Sequence, residues 1–444
     1  MLRSINKAQK DNAHRLLQCL AVAVRPLRVE ELAELLAFDF HASSSGGIPT
    51  LKEDWRWDDE EEAVLSTCSS LITIVRSDDS RVVQFSHFSV KEYLTSPRLA
   101  QSHGDVSRFH IDLDAAHTIM AQACLGTLLR LRVDEHTVNN VRKTFPLVEY
   151  AAEHWAEHAR FEEVSSRVQD GMNDLFDTRK PHFAAWLCVH DIDRYWPHFS
   201  PEEPHQRKGG SPLYYAALCG LYDLAEHLIM KHPDQVNAVG GLIMAPLPAA
   251  LYKRHFRVAE LLHRHGAVVD VRGLKGRTPL LCASLYGYID IMRWLLNHGA
   301  DANVRQYSGW TPLHAAAGNM EIDAVLLLLD HNTDVNSRDQ KGKTPLYDTI
   351  FEPVSYWEER AVGIVRGLLE HGADPNACDH NHSTTLLHQA TFHGWPEVVR
   401  LLLGYGARVD KRDENGKTLF QVASENGYHD IEKLLGEHVV VPQL

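Results

Sequence analysis

The chain has 444 residues, of which 23% are charged and 44% hydrophobic, and its formal charge is −14. That charge divides as −3 over residues 1–100, −7 over 101–205 and −4 over 206–444, so no segment has the basic excess of a nucleic-acid binder. No apolar run approaches the roughly 18 residues of a membrane span, and seven cysteines at least 31 residues apart, with no CxxC pair, write neither a zinc nor a disulfide framework. A soluble, cytoplasmic protein with reduced thiols is expected.

Residues 1–100 read as a small α+β domain. Helices over 11–24 and 28–37 are broken at Pro26, with Leu16, Leu17 and Leu20 on one apolar face and Leu32, Leu35 and Leu36 on the other. Leu16 to Val24 is too interrupted by Gln18 for a signal peptide and is expected to be a buried helix. A third helix over Asp58–Ser69 precedes two short strands, Leu71–Val75 and Arg81–Phe85, around a polar turn. Three helices followed by a hairpin predict a winged-helix arrangement. Its third helix would be the DNA reader, yet it opens on Asp58-Asp59-Glu60-Glu61-Glu62, which phosphates repel. Protein packing is the expectation instead.

Residues 101–205 read as a helical connector. They contain His154-Trp155-Ala156-Glu157-His158, the HxxEH order of inverted zinc peptidases, in which i and i+4 histidines share a helix face and the glutamate is general base. No third ligand is evident, and the flanking Leu147, Ala151 and Trp155 look like packing positions. No GxSxG elbow or Ser/His/Asp grouping is present.

From residue 206 the sequence is periodic. Ser211-Pro212-Leu213, Ala245-Pro246-Leu247, Thr278-Pro279-Leu280, Thr311-Pro312-Leu313, Thr344-Pro345-Leu346, Thr385-Leu386-Leu387 and Thr418-Leu419-Phe420 recur with spacings of 34, 33, 33, 33, 41 and 33. Threonine or serine can cap a helix whose first turn tolerates proline. Leucine pairs such as Leu295-Leu296 and Leu402-Leu403 give a second helix its apolar stripe, and the following His-Gly-Ala or Tyr-Gly-Ala permits a left-handed cap. Asp-x-Asn turns lead to the next unit. About seven such units over 206–438, with a tail over 439–444, resemble ankyrin repeats, which implies a solenoid that binds protein. The unit at Ala245 is expected to be distorted. The fold class is therefore mainly α, an ankyrin-repeat solenoid preceded by a helical connector and a winged helix.

Two segments further resemble the winged helix of NACHT-type signal-transduction ATPases, an architecture common in fungi: Arg25-Pro26-Leu27-Arg28-Val29-Glu30-Glu31-Leu32-Ala33 and Phe85-Ser86-His87-Phe88-Ser89-Val90-Lys91-Glu92-Tyr93-Leu94. The resemblance extends to the connector through Tyr150–Trp155 and Pro181–Leu187, and it implies that His87 could face a bound nucleotide. No phosphate-binding loop occurs in this sequence. Gly342-Lys343-Thr344 and Gly416-Lys417-Thr418 mimic its tail, but Ser337 and Lys411 stand where the earlier glycine belongs. Both are expected to be repeat hairpins, and His87 a local hydrogen-bonding or core residue.

A non-enzymatic interaction module is the resulting expectation, without cofactor, metal, nucleic acid, membrane or small-molecule substrate. The alternatives are a C-terminal sensor fragment of a NACHT-type switch and, more weakly, a zinc hydrolase through His154, Glu157 and His158. The partner surface is expected on the hairpin tips, where Arg272, Lys275, Arg277, Lys341 and Lys343 surround Tyr307 and Trp310 and would suit an acidic protein surface. The seven-residue insertion within Phe351–Arg360 brings Tyr356 and Trp357 as a second candidate contact.

Overall fold

The computed structural model describes residues 2, 5, 9–40, 47–77, 80–102, 105–132, 138–192, 209–351, 358–378 and 384–439; Tyr356 and Trp357 lie outside them. The described chain divides into two compact units, Met1–Gly266 and Ala267–Leu444.

The first unit opens with α1 (Lys10–Val22), β1 (Leu27–Arg28), α2 (Val29–Leu36), β2 (Phe38–Asp39), β3 (Thr50–Leu51), α3 (Glu60–Cys68), β4 (Ile72–Ser77), β5 (Ser80–Phe85), α4 (Phe88–Leu94) and α5 (Pro97–Ala100). The two long strands form the expected hairpin, and β1 adds itself to β5 as a third antiparallel strand, Leu27 opposite Val83. Leu16, Leu17, Leu32 and Leu35 are fully buried beneath this sheet and its helices. Two strands escaped the sequence reading besides β1: β2 and β3 pair through Phe38 and Leu51. Two-residue strands carry no alternation to detect.

The connector comprises α6 (Leu113–Leu128), α7 (Val138–Thr144), α8 (Val148–Ala159), α9 (Glu162–Leu175) and α10 (His182–Val189). Its core is aromatic. Trp155 and Trp186 are completely buried and meet edge to face at 5.6 Å, and the Trp186 indole N–H donates to the Ala152 carbonyl at 2.9 Å.

Helix pairs follow: α11 (Pro212–Cys219) and α12 (Tyr222–Lys231), then α13 (Pro246–Tyr252) and α14 (Phe256–Arg264). Tyr215 of α11 packs against Phe183 and Trp186. An end repeat would otherwise present its apolar face to water, and the connector covers it here. That is why the first two repeats fall within the first compact unit.

The second unit holds α15 (Pro279–Leu285) with α16 (Ile289–Asn297), α17 (Pro312–Gly318) with α18 (Ile322–Leu329), α19 (Pro345–Phe351) with α20 (Glu358–Glu370), α21 (Leu386–His393) with α22 (Pro396–Gly404), and α23 (Leu419–Glu425) with α24 (His429–Val439). Thr278, Thr311, Thr344, Thr385 and Thr418 each accept a backbone N–H three residues on, as Ser211 does in the first unit. Ala245 has no side chain that can cap, the physical content of the distorted repeat. The glycines closing the outer helices at 266, 299, 372 and 406 all have φ between 84° and 87°, and Asn332 takes the same left-handed place in the unit that lacks glycine.

Candidate interaction surface

Among the described residues, four hairpins of the second unit are built the same way. Gly273, Gln306, Asp339 and Asp413 each donate their N–H to the carbonyl four residues on. In two of them an aspartate rigidifies the turn: Asp339 Oδ1 accepts from Lys341 and Lys343, and Asp413 Oδ1 from Asn415 and Lys417. The amides of Gly342-Lys343-Thr344 and Gly416-Lys417-Thr418 therefore sit in hairpins, and each threonine caps the next helix.

Neighbouring tips are laced together. Tyr307 N–H donates to the Lys275 carbonyl at 3.1 Å, and Gln340 reaches back to Ser308 and Tyr307 through its N–H and side-chain amide. Arginine supplies a second lacing that sequence reasoning missed. Arg272 donates to the carbonyl of Arg305 at 2.9 Å, Arg305 to that of Arg338 at 2.6 Å, and Arg338 to that of Cys378 at 2.9 Å. The recurrence of arginine at 272, 305 and 338, one period apart, was the available signal. Arg272 thus holds the ridge together as well as carrying charge on it.

The remaining candidates separate by exposure. Lys275 and Lys341 are exposed, and Tyr307 is 68% exposed with its ring laid over Gly276, where a Cβ would come within 2.6 Å of the ring. Arg277, Trp310 and Lys343 are half-buried; the Lys343 ammonium lies 5.1 Å from the centre of the Tyr347 ring. The structure brings Lys275, Tyr307 and the Gln340-Lys341 tip side by side.

Beneath the tips, Asp-x-Asn turns do more than turn. Asn303, Asn336 and Asn376 accept the N–H of Asp334, Asp374 and Arg408 in the following unit, each at 2.8 Å. His314 spans units too: its Nδ1 meets the Thr311 hydroxyl at 2.8 Å and its Nε2 the Lys343 carbonyl at 3.0 Å. Burial lowers its pKa, so a neutral ring accepts at Nδ1 and donates from Nε2. The histidines before the capping glycine act within their own helix. His298 and His371 fold back onto the carbonyl four residues earlier in their own helix.

In the first unit His158 of the HxxEH segment belongs to a hydrogen-bonded relay. Val24 N–H donates to the Tyr150 hydroxyl at 3.1 Å, that hydroxyl meets His158 Nε2 at 2.9 Å, and His158 Nδ1 meets His117 Nδ1 at 2.9 Å. Every group is satisfied when Tyr150 donates to Nε2 and His158 donates from Nδ1. Burial holds the His158 pKa down at about 3, which keeps the ring neutral. His154 pairs with Glu157 at 2.9 Å, and this bond lowers the Glu157 carboxyl below its usual range. Among the described residues no cluster of three or more His, Cys, Asp and Glu is placed to hold a metal ion.

The acidic head of α3 is used internally. Asp59 caps the helix, Glu61 pairs with Arg76 and Arg81, and Arg81 also reaches Glu30. His87 is exposed and caps α4 by accepting the Ser89 N–H. It is a local hydrogen-bonding residue.

Comparison with known proteins matches three copies of an ankyrin-repeat model over residues 213–306, 303–377 and 354–442, and the winged-helix domain of GPI inositol-deacylase over residues 2–107. The azaphilone pigments biosynthesis cluster protein L of Monascus ruber is 31% identical over 284 residues, which is 61% of this chain and 58% of that protein. The mouse 2-5A-dependent ribonuclease is 46% identical over 59 residues, 13% of this chain and 8% of the enzyme. This chain thus spans little more than half of the Monascus relative and a small part of the ribonuclease. The crystal structure of the Bcl-3 ankyrin repeat domain aligns over 52% of this chain and all of that chain, at 26% identity and a TM-score of 0.45.

Proposed function

The chain belongs to the ankyrin-repeat family, and on that premise we propose that it is a non-enzymatic interaction module whose hairpin ridge over 272–343 takes an acidic protein surface. One observation carries this reading: Lys275, Tyr307 and Lys341 are exposed side by side on tips that are already laced to one another. Preorganised tips lose little freedom on binding. Lysines that steer and a tyrosine that anchors suit an acidic partner. The Monascus relative is named for a pigment-biosynthesis cluster; a module that assembles proteins, rather than a catalyst, is what this surface supports for the present chain. Boundaries near 100 and 205 and cytoplasmic residence with reduced cysteines are part of the same reading. Photo-crosslinking from position 307 retrieves the partner, and replacement of Lys275, Lys341 and Lys343 by glutamate is expected to slow its association and flatten the salt dependence with no loss of melting temperature. Unchanged kinetics in that folded variant would move the contact elsewhere, first to the insertion carrying Tyr356 and Trp357.

A second reading rests on the winged-helix match over residues 2–107: the chain as the sensor end of a NACHT-type switch. An in-frame phosphate-binding loop in the transcript upstream of Met1 would establish it.

A further inference from the structure

Between β3 and α3 the chain passes through Trp55-Arg56-Trp57, a stretch clamped from the inside and unused on the outside. The Arg56 guanidinium donates to buried Glu34 on α2 at 2.6 Å and to the Thr144 carbonyl at 3.0 Å, and it lies over the Phe145 ring at 5.7 Å. Glu53, which opens the short 3-10 turn Glu53–Trp55, is tied to Arg130 at 3.0 Å. The tryptophans on either side of Arg56 stay in water, Trp55 49% and Trp57 42% exposed. Every other tryptophan among the described residues is buried or half-buried. Within the described chain neither exposed indole stacks on another ring, and neither donates its N–H. Tryptophan is highly buried on average and is enriched where partners bind, so two exposed indoles on one clamped turn form a surface that something covers. The charge beside them is negative. Asp54 and Asp58 flank the pair in the chain, and both are exposed without an ion pair or a hydrogen bond.

We propose that the Trp55-Arg56-Trp57 turn is a docking surface for a basic segment of a partner protein, whose arginine or lysine cations lie over the two indoles and against the Asp54 and Asp58 carboxylates. Charge selects this occupant from the others that exposed tryptophan attracts. A nucleic-acid base stacks on an indole, but its phosphates are repelled here. A bilayer interface takes tryptophan too, yet an anionic leaflet repels the same carboxylates. A cation gains on both counts: the face of tryptophan attracts it more strongly than any other ring, and unpaired carboxylates complement its charge. Because Arg56 already fixes the turn, little freedom is lost on binding. The proposal rests on the reading of the chain as an interaction module, and it adds a contact in the first unit whose sign is opposite to that of the hairpin ridge.

The test uses the full chain and a fluorescein-labelled Gly/Ser peptide carrying several arginines, read by anisotropy at low salt. This peptide is expected to bind about tenfold more tightly than its citrulline counterpart. Trp55→Ala/Trp57→Ala should abolish that preference with an unchanged melting temperature, since neither indole is bonded to the rest of the chain, and Asp54→Asn/Asp58→Asn should weaken binding several-fold. Equal binding of the arginine and citrulline peptides would overturn the assignment. So would an arginine preference that survives loss of both tryptophans, which is attraction to a negative surface alone. Flotation of the chain with phosphatidylserine/phosphatidylcholine vesicles, lost in the tryptophan double variant, would assign the turn to a membrane, and sedimentation showing a dimer lost in that variant would assign it to a second copy; either result overturns the proposal. Replacing Lys275, Lys341 and Lys343 by glutamate leaves this turn intact, so a failed arginine preference and a failed ridge are separate results.

Discussion

The winged helix with its connector and the repeats of the second unit bury polar groups in different ways. In the former, polar bonds run between residues far apart in sequence and occur once. Val24, Tyr150, His158 and His117 form one chain of bonds, and buried Glu34 accepts from the Leu147 N–H and from Arg56. In the repeats each bond links a residue to its own unit or the next, and the same bond recurs one period later: threonine caps, arginine lacings, asparagine bridges. The lesson concerns cooperativity. Damage to the unique network has no substitute, whereas loss of one repeated bond leaves equivalent bonds above and below.

The sharpest way to break that contrast is at the connector core. Trp186→Ala removes an indole that is fully buried, bonded to Ala152 and packed on Trp155, Phe176 and Tyr215, and should cost about 3–5 kcal/mol. Urea titration followed by hydrogen exchange is expected to show residues 1–266 unfolding early while amides beyond 267 keep their protection. Simultaneous loss of protection throughout would mean the two units unfold as one and would remove the basis of the comparison.

A smaller effect is expected at the relay. Tyr150→Phe leaves the Val24 N–H and a buried imidazole nitrogen without partners, costing about 1–3 kcal/mol. Acid adds a second readout. Because burial lowers the His158 pKa to about 3 from an unfolded value near 6.5, the unfolded chain binds the extra proton first. Stability of the first unit should therefore be fully present above about pH 6.5 and fall with acidification toward pH 3, by at most about 1.4 kcal/mol per pH unit from this group. His158→Gln should flatten that slope. An unaltered slope would place the titration elsewhere.

How much of this was readable from sequence follows the same division. Periodic bonds leave periodic residues, so the caps at Thr278, Thr311 and Thr385, the left-handed glycines and the helix pairs were legible. The lacing arginines recur just as regularly, yet Arg272 read as surface charge, because composition shows a cation and not the carbonyl it reaches. The relay was illegible for a different reason. His154-x-x-Glu157-His158 carries a catalytic pattern locally, and nothing near it in sequence names Val24 or His117 as what His158 and Tyr150 meet.

Within the repeats, Arg305→Ala tests a repeated bond. It removes the donor to the Arg338 carbonyl, while the Gln340 bonds to Ser308 and Tyr307 still join the same tips. A loss of about 1 kcal/mol is expected, confined in hydrogen exchange to the tips at 306–310 and 339–343. A loss as large as that of Trp186→Ala would show that repeated bonds are no more expendable than unique ones.

The smallest effect is a gain. Asn303, Asn336 and Asn376 each accept from the following unit, and Asn336 and Asn376 also donate to the carbonyls of Gly372 and Gly406. Asp270 holds the corresponding place at the start of the second unit. Its Oδ2 accepts the Asp301 N–H at 2.9 Å, but Oδ1 is buried without a hydrogen bond, since a carboxylate has no N–H for the Gly299 carbonyl. Burial, with the nearby Asp301 charge as a smaller cause, raises the Asp270 pKa. A raised carboxyl pKa means the folded state keeps its proton longer than the unfolded chain, so this residue's contribution falls as pH rises above about 3.9. Asp270→Asn should supply the missing donor and remove that penalty. The expected stabilisation is about 0.5–1 kcal/mol at neutral pH, read as a higher urea midpoint for residues 267–439, and it should shrink as the pH is lowered toward 4. A gain independent of pH would mean that the new hydrogen bond alone accounts for it, and no gain would mean that the asparagine bridge contributes through its acceptor side only.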